Sequence, residues 1–551
     1  MKHYFGMLAF AGLLMSCNPT PTQQADYDII PLPQQVVIGS EKPFVLKSGI
    51  KISYPEGNEK MKRNAVFLAE YLKTATGKAY GIVPDIAGDD VIQLGLGLEH
   101  ENPEAYQLSV TEKGVRISAA TEAGVFYGIQ SLRKSLPVAP GEVVALPAVQ
   151  IEDYPRFAYR GAHFDISRHF FTVEEVKTYI DMMVLHNMNY FHWHLTDDQG
   201  WRLEIKKYPE LTEIASQRKE TVIGRNSGKY DGKPYGGFLT QEQAKEVVDY
   251  AAERYITVIP EIDLPGHMQA ALAAYPEFGC TGGPYDVWTQ WGVSDNVLCA
   301  GNDKIYTFLE DVFTELMAIF PSEYIHVGGD ECPKSKWAAC PKCQARIKQL
   351  GLKSDKEHSK EERLQSYVIN RMERFLNAHG RKMIGWDEIL EGGLAPNAIV
   401  MSWRGESGGV IAAREKHQVI MTPNEFMYFD HYQSSKFDQE PLAIGGYLPV
   451  QKVYNYEPAS DAFAPEEKPY VWGVQANLWT EYVASFSHAQ YMVLPRWAAL
   501  CETQWTMPEK KDYANFRARL PKLVSWYDAQ GYNHAELKSE VLDEVKVDKI
   551  P

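Results

Sequence analysis

No tryptophan precedes Trp193 in this 551-residue chain, although twelve lie at or after it. The amino-terminal third is therefore built from different material than the rest. Basic charge is also short: 56 Lys and Arg stand against 72 Asp and Glu, a formal net charge of −16. A chain this acidic lacks the electrostatic footprint of a nucleic-acid binder, which excludes that class. Long apolar runs are scarce. Tyr4 to Met15 is an apolar stretch, too short to cross a bilayer as a helix, and no other stretch reaches membrane length. What is present, 45% hydrophobic and 23% charged residues, is ordinary globular material in a length that suits two or three domains.

The apolar run follows Lys2 and His3 and ends in Leu14-Met15-Ser16-Cys17, which resembles a bacterial lipoprotein signal. The resemblance implies cleavage before Cys17, lipidation of its thiol, and an exported protein anchored by lipid to the cell envelope. Residues 1–17 are read as the signal. Residues 18–25, polar and proline-bearing, are read as a tether. Six cysteines remain: Cys280, Cys299, Cys332, Cys340, Cys343 and Cys501. An oxidising compartment permits a Cys280–Cys299 staple and one pair within the 332–343 trio. Cys340-Pro-Lys-Cys343 is half of a zinc-ribbon pattern with no second CxxC or His pair, so disulfides or buried thiols are favoured over a metal.

Residues 26–150 read as a small α+β domain. Short alternating strands are expected at Val36–Ile38, Phe44–Leu46 and Ile50–Ser53, and a helix at Lys60–Thr74 closed by Gly77. A buried strand at Ile92–Leu96, a hairpin of Tyr106–Val110 with Val115–Ala119, and a helix from Thr121 towards Leu136 complete it. From Tyr159 onward, eight apolar strands alternate with helices: Tyr159–Ile166, Asn189–Leu195, Ile256–Ile262, Tyr324–Gly328, Lys382–Trp386, Ala398–Trp403, Val419–Thr422 and Val471–Leu478. Capping boxes at Thr172/Glu175 and Thr240/Gln243, and the apolar face of Asp303–Phe320, mark intervening helices. The pattern predicts a (β/α)8 barrel over 151–510; no Gly-rich phosphate loop follows the first strand, as a doubly wound sheet would need. Residues 511–551 read as a helix and charged tail.

Barrel chemistry sits at the carboxyl ends of the strands. Those ends here carry Asp165 and Arg168, Asp197-Asp198, Asp263 and His267, Asp330-Glu331, Trp386 with Asp387-Glu388, Trp403, Tyr428 with Asp430, and Trp479 with Glu481. Carboxylates among indoles suit sugars: carboxylates bind hydroxyls and move protons, and indole faces pack on a pyranose. Neighbouring residues such as Asp330 and Glu331 cannot easily flank a sugar ring as the two carboxylates of an ordinary retaining glycosidase do. With Glu331 as general acid, the attacking group would come from the substrate's own 2-acetamido arm, steadied by Asp330. The acid would need a raised pKa, to which the charges of Asp330 and Asp197 contribute. Elsewhere, Arg160 and Asp165 are read as an ion pair beneath the site. His192, His194 and His326 are read as core or supporting residues rather than zinc ligands, Asp198 and Glu388 as loop caps, and Trp193, Trp288, Trp291 and Trp497 as core.

The segments Arg160-Gly-x-His-x-Asp-x-Ser-Arg-His169, Phe191-His-Trp-His-Leu-Thr-Asp-Asp198, Asp263-Leu-Pro-Gly-His267, His326-Val-Gly-Gly-Asp-Glu331 and Trp386-Asp-Glu388, in this order, resemble glycoside hydrolase family 20, the β-N-acetylhexosaminidases. The resemblance implies Glu331 as general acid and then base, and Asp330 as the residue that orients the acetamido group and stabilises an oxazolinium intermediate. It implies Tyr428 on the acetamido oxygen, and Asp197 with His267 as a relay behind Glu331. Arg168 would hold the 3- and 4-hydroxyls, and Asp430 and Glu481 the 4- and 6-hydroxyls, between walls of Trp386, Trp403 and Trp479. The implied partners are glycans ending in β-linked GlcNAc or GalNAc; no cofactor or metal is implied. A disaccharide-releasing lacto-N-biosidase, a 6-sulfo-GlcNAc-specific enzyme and a non-catalytic surface glycan-binding lipoprotein are the alternatives. The intact Asp330-Glu331, Tyr428 and Arg168 set speaks against the last.

Overall fold

The computed structural model describes residues 22–547 and residue 550; the signal sequence and Cys17 lie outside them. Residues 35–153 form a seven-stranded mixed sheet in the order Gln35–Ile38, Val149–Asp153, Tyr106–Thr111, Gly114–Ala119, Val91–Leu96, Lys51–Tyr54, Gly81–Pro84. Helices Glu59–Thr76 and Glu122–Ser135 pack on each other and on the sheet. The first ends where Gly77 takes the left-handed conformation that closes it. The domain's last strand runs to Asp153, past the expected boundary at 150. The tether also ends sooner than expected. Gln23–Gln24 pairs in parallel with Val144–Ala145, and Ala25 is buried, so backbone pairing draws residues 23–25 into the fold.

Eight parallel strands close a barrel: β1 (Tyr159–Asp165), β2 (Tyr190–His194), β3 (Thr257–Glu261), β4 (Tyr324–His326), β5 (Lys382–Trp386), β6 (Ile399–Ser402), β7 (Val419–Met421) and β8 (Val471–Ala476). All eight expected strands are present; Lys382–Trp386 keeps its full expected range and the other seven are one or two residues shorter. Both expected capping boxes form, and Ser359 with Glu362 makes a third. Because side chains alternate along a strand, β2 sends Tyr190, His192 and His194 into the barrel, whereas Phe191 and Trp193 pack in the larger core outside it. Tyr159, Ile259, Ile384, Met401 and Ile420 fill the lower interior.

Two attachments fix the barrel to its surroundings. The guanidinium of Arg160 forks onto Glu104 of the small domain at 2.6 and 3.0 Å and also donates to the Tyr127 hydroxyl. The expected Arg160–Asp165 pair is not formed: residues an odd number apart on a strand point to opposite sides, and Asp165 pairs with Arg168 instead. The carboxyl-terminal helix, Tyr513–Gln530, buries Phe516, Leu520, Trp526 and Tyr527, while Arg519 bonds Glu502 and the Ile29 carbonyl. Among the described residues, no helix is long and apolar enough to cross a membrane.

Candidate active site

Strand β4 ends in a turn that only glycine can make. Gly328 has φ +65°, and a Cβ there would lie 1.7 Å from Asp263 Oδ1. The Gly329 amide donates to that same oxygen at 3.1 Å. The turn delivers Asp330 and Glu331 side by side to one wall of the barrel mouth. Glu331 has φ +42°, and His267, which faces it, has φ +51°. Two non-glycine residues held in the left-handed region at one site indicate backbone strain kept for function, on the order of 1–3 kcal/mol each.

Charge passes behind Glu331 through a short chain. Asp197 Oδ1 lies 3.1 Å from His267 Nδ1, and His267 Nε2 lies 3.6 Å from Glu331 Oε2 and 3.8 Å from Asp330 Oδ2. Against the desolvation that burial imposes, Asp197 holds the His267 imidazole well above its usual pKa. Asp197 Oδ2 also receives Arg168 Nη2 at 2.9 Å and His194 Nε2 at 2.9 Å. His194 donates its other ring N–H to Glu261 at 2.5 Å. Burial would lower His194, but the flanking carboxylates raise it to about 10. Arg168 is shared among Asp197, Asp165 at 3.1 Å, Glu481 at 3.7 Å and the Gln199 amide oxygen at 3.0 Å.

The adjacent carboxyls titrate apart. Burial lifts Asp330 to about 6 although His267 pulls the other way. Glu331, its side chain 43% exposed, is lowered by its contact with His267. The raised pKa expected for Glu331 is thus not a property of the free site, because the imidazolium outweighs burial and the Asp197 charge. Burial and the nearby Asp330 charge keep Asp263 well above the usual carboxylate range, so it can donate a hydrogen bond to Asp330.

A cavity of about 210 Å³ opens at this end of the barrel, lined by Arg168, Asp330, Glu331, Tyr428, Trp479 and Glu481, with Trp403 and Asp430 beside them. Trp403 and Tyr428 lie nearly parallel, 5.9 Å apart, and Trp479 meets Tyr428 edge-on at 6.3 Å. Burial, then repulsion from Glu481, raises Asp430, whose Oδ1 is buried and accepts no hydrogen bond from the described residues. Asp330 Oδ1 is in the same condition. Trp386 does not wall the cavity. It is 0% exposed, sits beneath Trp479 at 5.8 Å between centroids, and donates its indole N–H to Glu261 at 2.9 Å. A wider cleft of about 520 Å³ at the opposite end of the barrel, beside Tyr190, Thr257 and Tyr324, gathers no comparable set of facing acids, guanidinium and indoles.

Glu388 is more than a loop cap: it accepts the Trp403 indole N–H at 2.9 Å and so sets one wall of the cavity. Asp198 does cap its loop, accepting the Gln269 and Ser294 amides. Glu261 had no expected role, yet His192, His194, His326 and Trp386 all converge on it within 3.0 Å. An acid ending an otherwise apolar strand was the signal available. Trp193, Trp291 and Trp497 are buried, and Trp288 is half-buried on the loop after β3. All six cysteines after Cys17 are free thiols. The Cys280–Cys299 staple is absent, because Cys280, Cys299, Cys340 and Cys343 meet as one group instead of in bonded pairs.

The family model for the catalytic domain of glycosyl hydrolase family 20 matches residues 157–508, and that for domain 2 of the same family matches residues 26–154. The chain is 43% identical over 536 residues to a beta-hexosaminidase of Porphyromonas gingivalis, an alignment that covers 95% of this chain and 66% of that relative's length. The GH20 beta-N-acetylhexosaminidase structure from Streptomyces coelicolor superposes with a TM-score of 0.79 at 31% identity, covering 92% of this chain and 97% of that one. The GH20 exo beta-N-acetylglucosaminidase structure from Vibrio harveyi, in complex with N-acetylglucosamine, gives 0.81 at 30% identity over 94% and 79%.

Proposed function

The chain belongs to glycosyl hydrolase family 20, and on that premise we propose that it is an exo-acting β-N-acetylhexosaminidase that removes terminal β-linked GlcNAc or GalNAc with retention. One observation carries the mechanism. Asp330 presents a buried oxygen that accepts nothing from the described residues, on the same wall as Glu331. That oxygen suits the acetamido N–H. Accepting it turns the acetamido carbonyl towards the anomeric carbon and offsets the positive charge as the ring closes. Tyr428 lines the cavity beside it, where its hydroxyl can donate to the acetamido oxygen.

Glu331 protonates the leaving oxygen and then deprotonates the water that opens the cyclic intermediate. In the free site the proton rests on His267. When a sugar covers Glu331 and expels water, desolvation disfavours the carboxylate and draws a proton onto it. Arg168, Asp430 and Glu481 bind ring hydroxyls, and Trp403 and Trp479 pack on the sugar. The similarity to an exo beta-N-acetylglucosaminidase supports release of one sugar over release of a disaccharide.

The test compares aryl β-N-acetylglucosaminide with the aryl β-glucoside, which has a hydroxyl in place of the acetamido arm. The first should turn over and the second hardly at all, and a thiazoline mimic of the cyclic intermediate should inhibit competitively. Equal turnover of both would overturn acetamido participation.

We also propose export and lipid anchoring through Cys17, on the strength of Lys2 and His3, the apolar run and the Leu14-Met15-Ser16-Cys17 ending. In cells fed an alkynyl fatty acid, the full chain should carry label that Cys17→Ala removes; an unlabelled wild-type chain would refute anchoring.

A further inference from the structure

Four of the cysteines come from two different active-site loops. Cys280 and Cys299 lie on the loop after β3, which also carries His267. Cys340 and Cys343 lie beyond Asp330-Glu331, on the loop after β4. Their sulfurs gather within 4.8 Å of one another: Cys280 to Cys343 is 3.9 Å, Cys299 to Cys340 3.7 Å, and Cys299 to Cys343 3.6 Å. A disulfide needs about 2.05 Å, and each of these contacts is far longer. Four sulfurs placed tetrahedrally about 2.3 Å from one zinc ion would stand about 3.8 Å apart. The three measured separations straddle that value.

The surroundings are shaped for such a centre. Cys340 precedes the helix Pro341–Leu350 and Cys343 lies in its first turn, so the positive end of the helix faces the sulfurs. A backbone hydrogen bond from Gly301 reaches the sulfurs of Cys299 and Cys343. Gly301 must be glycine, since a Cβ there would lie 2.2 Å from the Lys342 carbonyl carbon. Beside the cluster, the Trp337 indole N–H donates to the Leu298 carbonyl at 2.8 Å, a second tie between the same loops. Cys340, Cys343 and Cys299 are buried, and Cys280 is half-buried.

We infer that Cys280, Cys299, Cys340 and Cys343 bind one structural zinc ion that clips the loop bearing His267 to the loop bearing Asp330 and Glu331. Binding displaces the thiol protons and leaves a four-thiolate centre of net charge 2−. With all four positions taken by sulfur, the ion has no open site for water or substrate, so its role is to hold geometry. CxxC supplies one half of the ligand set. The other half is invisible as a motif because its two cysteines are widely spaced and meet only when the loop folds back.

The test uses the full mature chain, purified without chelators and then dialysed against zinc under reducing conditions. Metal analysis should find about one zinc per chain, and X-ray absorption should find four sulfur neighbours near 2.3 Å. Cobalt substitution should give the intense visible bands of a tetrahedral thiolate site. Cys299→Ser and Cys343→Ser should each lower bound zinc at least tenfold. Wild-type protein holding less than a tenth of an equivalent would overturn the inference. So would zinc retained by both variants, or a disulfide joining any two of the four cysteines in a non-reduced digest. Because the readout is bound metal, it is independent of whether the hexosaminidase reading holds.

Discussion

Asp197 grips His267 through Nδ1 at 3.1 Å and leaves Nε2 turned towards Glu331, 3.6 Å away. The imidazolium so placed pulls down the pKa of both Glu331 and Asp330. Removing it raises both carboxyls. For His267→Gln, the acid limb of kcat/KM should therefore move to higher pH, and kcat should fall by about tenfold to a hundredfold. A pH profile with its shape and position unchanged would assign His267 to structure alone.

Asp330 must be ionised to neutralise the closing ring, and burial sets its pKa near 6. The wild-type kcat/KM should accordingly fall as pH drops through about 6, since protonated Asp330 no longer offers a charge. Asp330→Asn should lower kcat on the order of 10²–10³-fold while changing KM much less, because the lost interaction belongs to the transition state. Steady-state kinetics with an aryl glycoside checks both.

The barrel strands were legible because each is an apolar run ended by a polar residue, and the site because its residues cluster at those ends. Asp330, Glu331, Tyr428 and Arg168 need only that rule. What escaped depends on directions that sequence spacing does not encode. Trp386 lies on the right strand end but points into the barrel, where Glu261 takes its N–H. Arg160 neighbours the site in sequence yet turns away to Glu104. The sign of the Glu331 shift turns on a 3.6 Å approach by a histidine from another strand. Cys280 and Cys299 look like a disulfide pair until the loop after β4 supplies two further sulfurs.

Glu388 offers a cleaner charge test. Burial, then the neighbouring Asp330 and Asp387 charges, push it up to about 9, so it is neutral at pH 7 and still accepts the Trp403 indole N–H. Glu388→Gln preserves shape, neutrality and an acceptor oxygen. It should change kcat/KM at pH 7 by less than about threefold, under 1 kcal/mol. Glu388→Ala frees Trp403 from its anchor and should cost about tenfold or more, the loss expected when a wall-setting indole N–H is left without its acceptor. A large loss in the Gln variant would show that the carboxylate is charged in the working enzyme.

The link between domains is energetic rather than catalytic. Arg160 is fully buried, and among the described residues Glu104 alone supplies it with a carboxylate, at 2.6 and 3.0 Å. Glu104→Ala leaves a buried guanidinium with only neutral acceptors, the Asn187 and Phe157 carbonyls and the Tyr127 hydroxyl. Breaking one side of such a pair costs about 3 kcal/mol, the lower end of the usual range because Glu104 itself keeps some contact with water. Arg160→Met removes the charge along with the pair and should cost less than Glu104→Ala, since no uncompensated ion remains. Thermal denaturation should rank the two in that order, with kcat and KM at 25 °C close to wild type in both. Equal destabilisation would mean that the fork contributes through packing on Tyr127 and Trp505 rather than through charge.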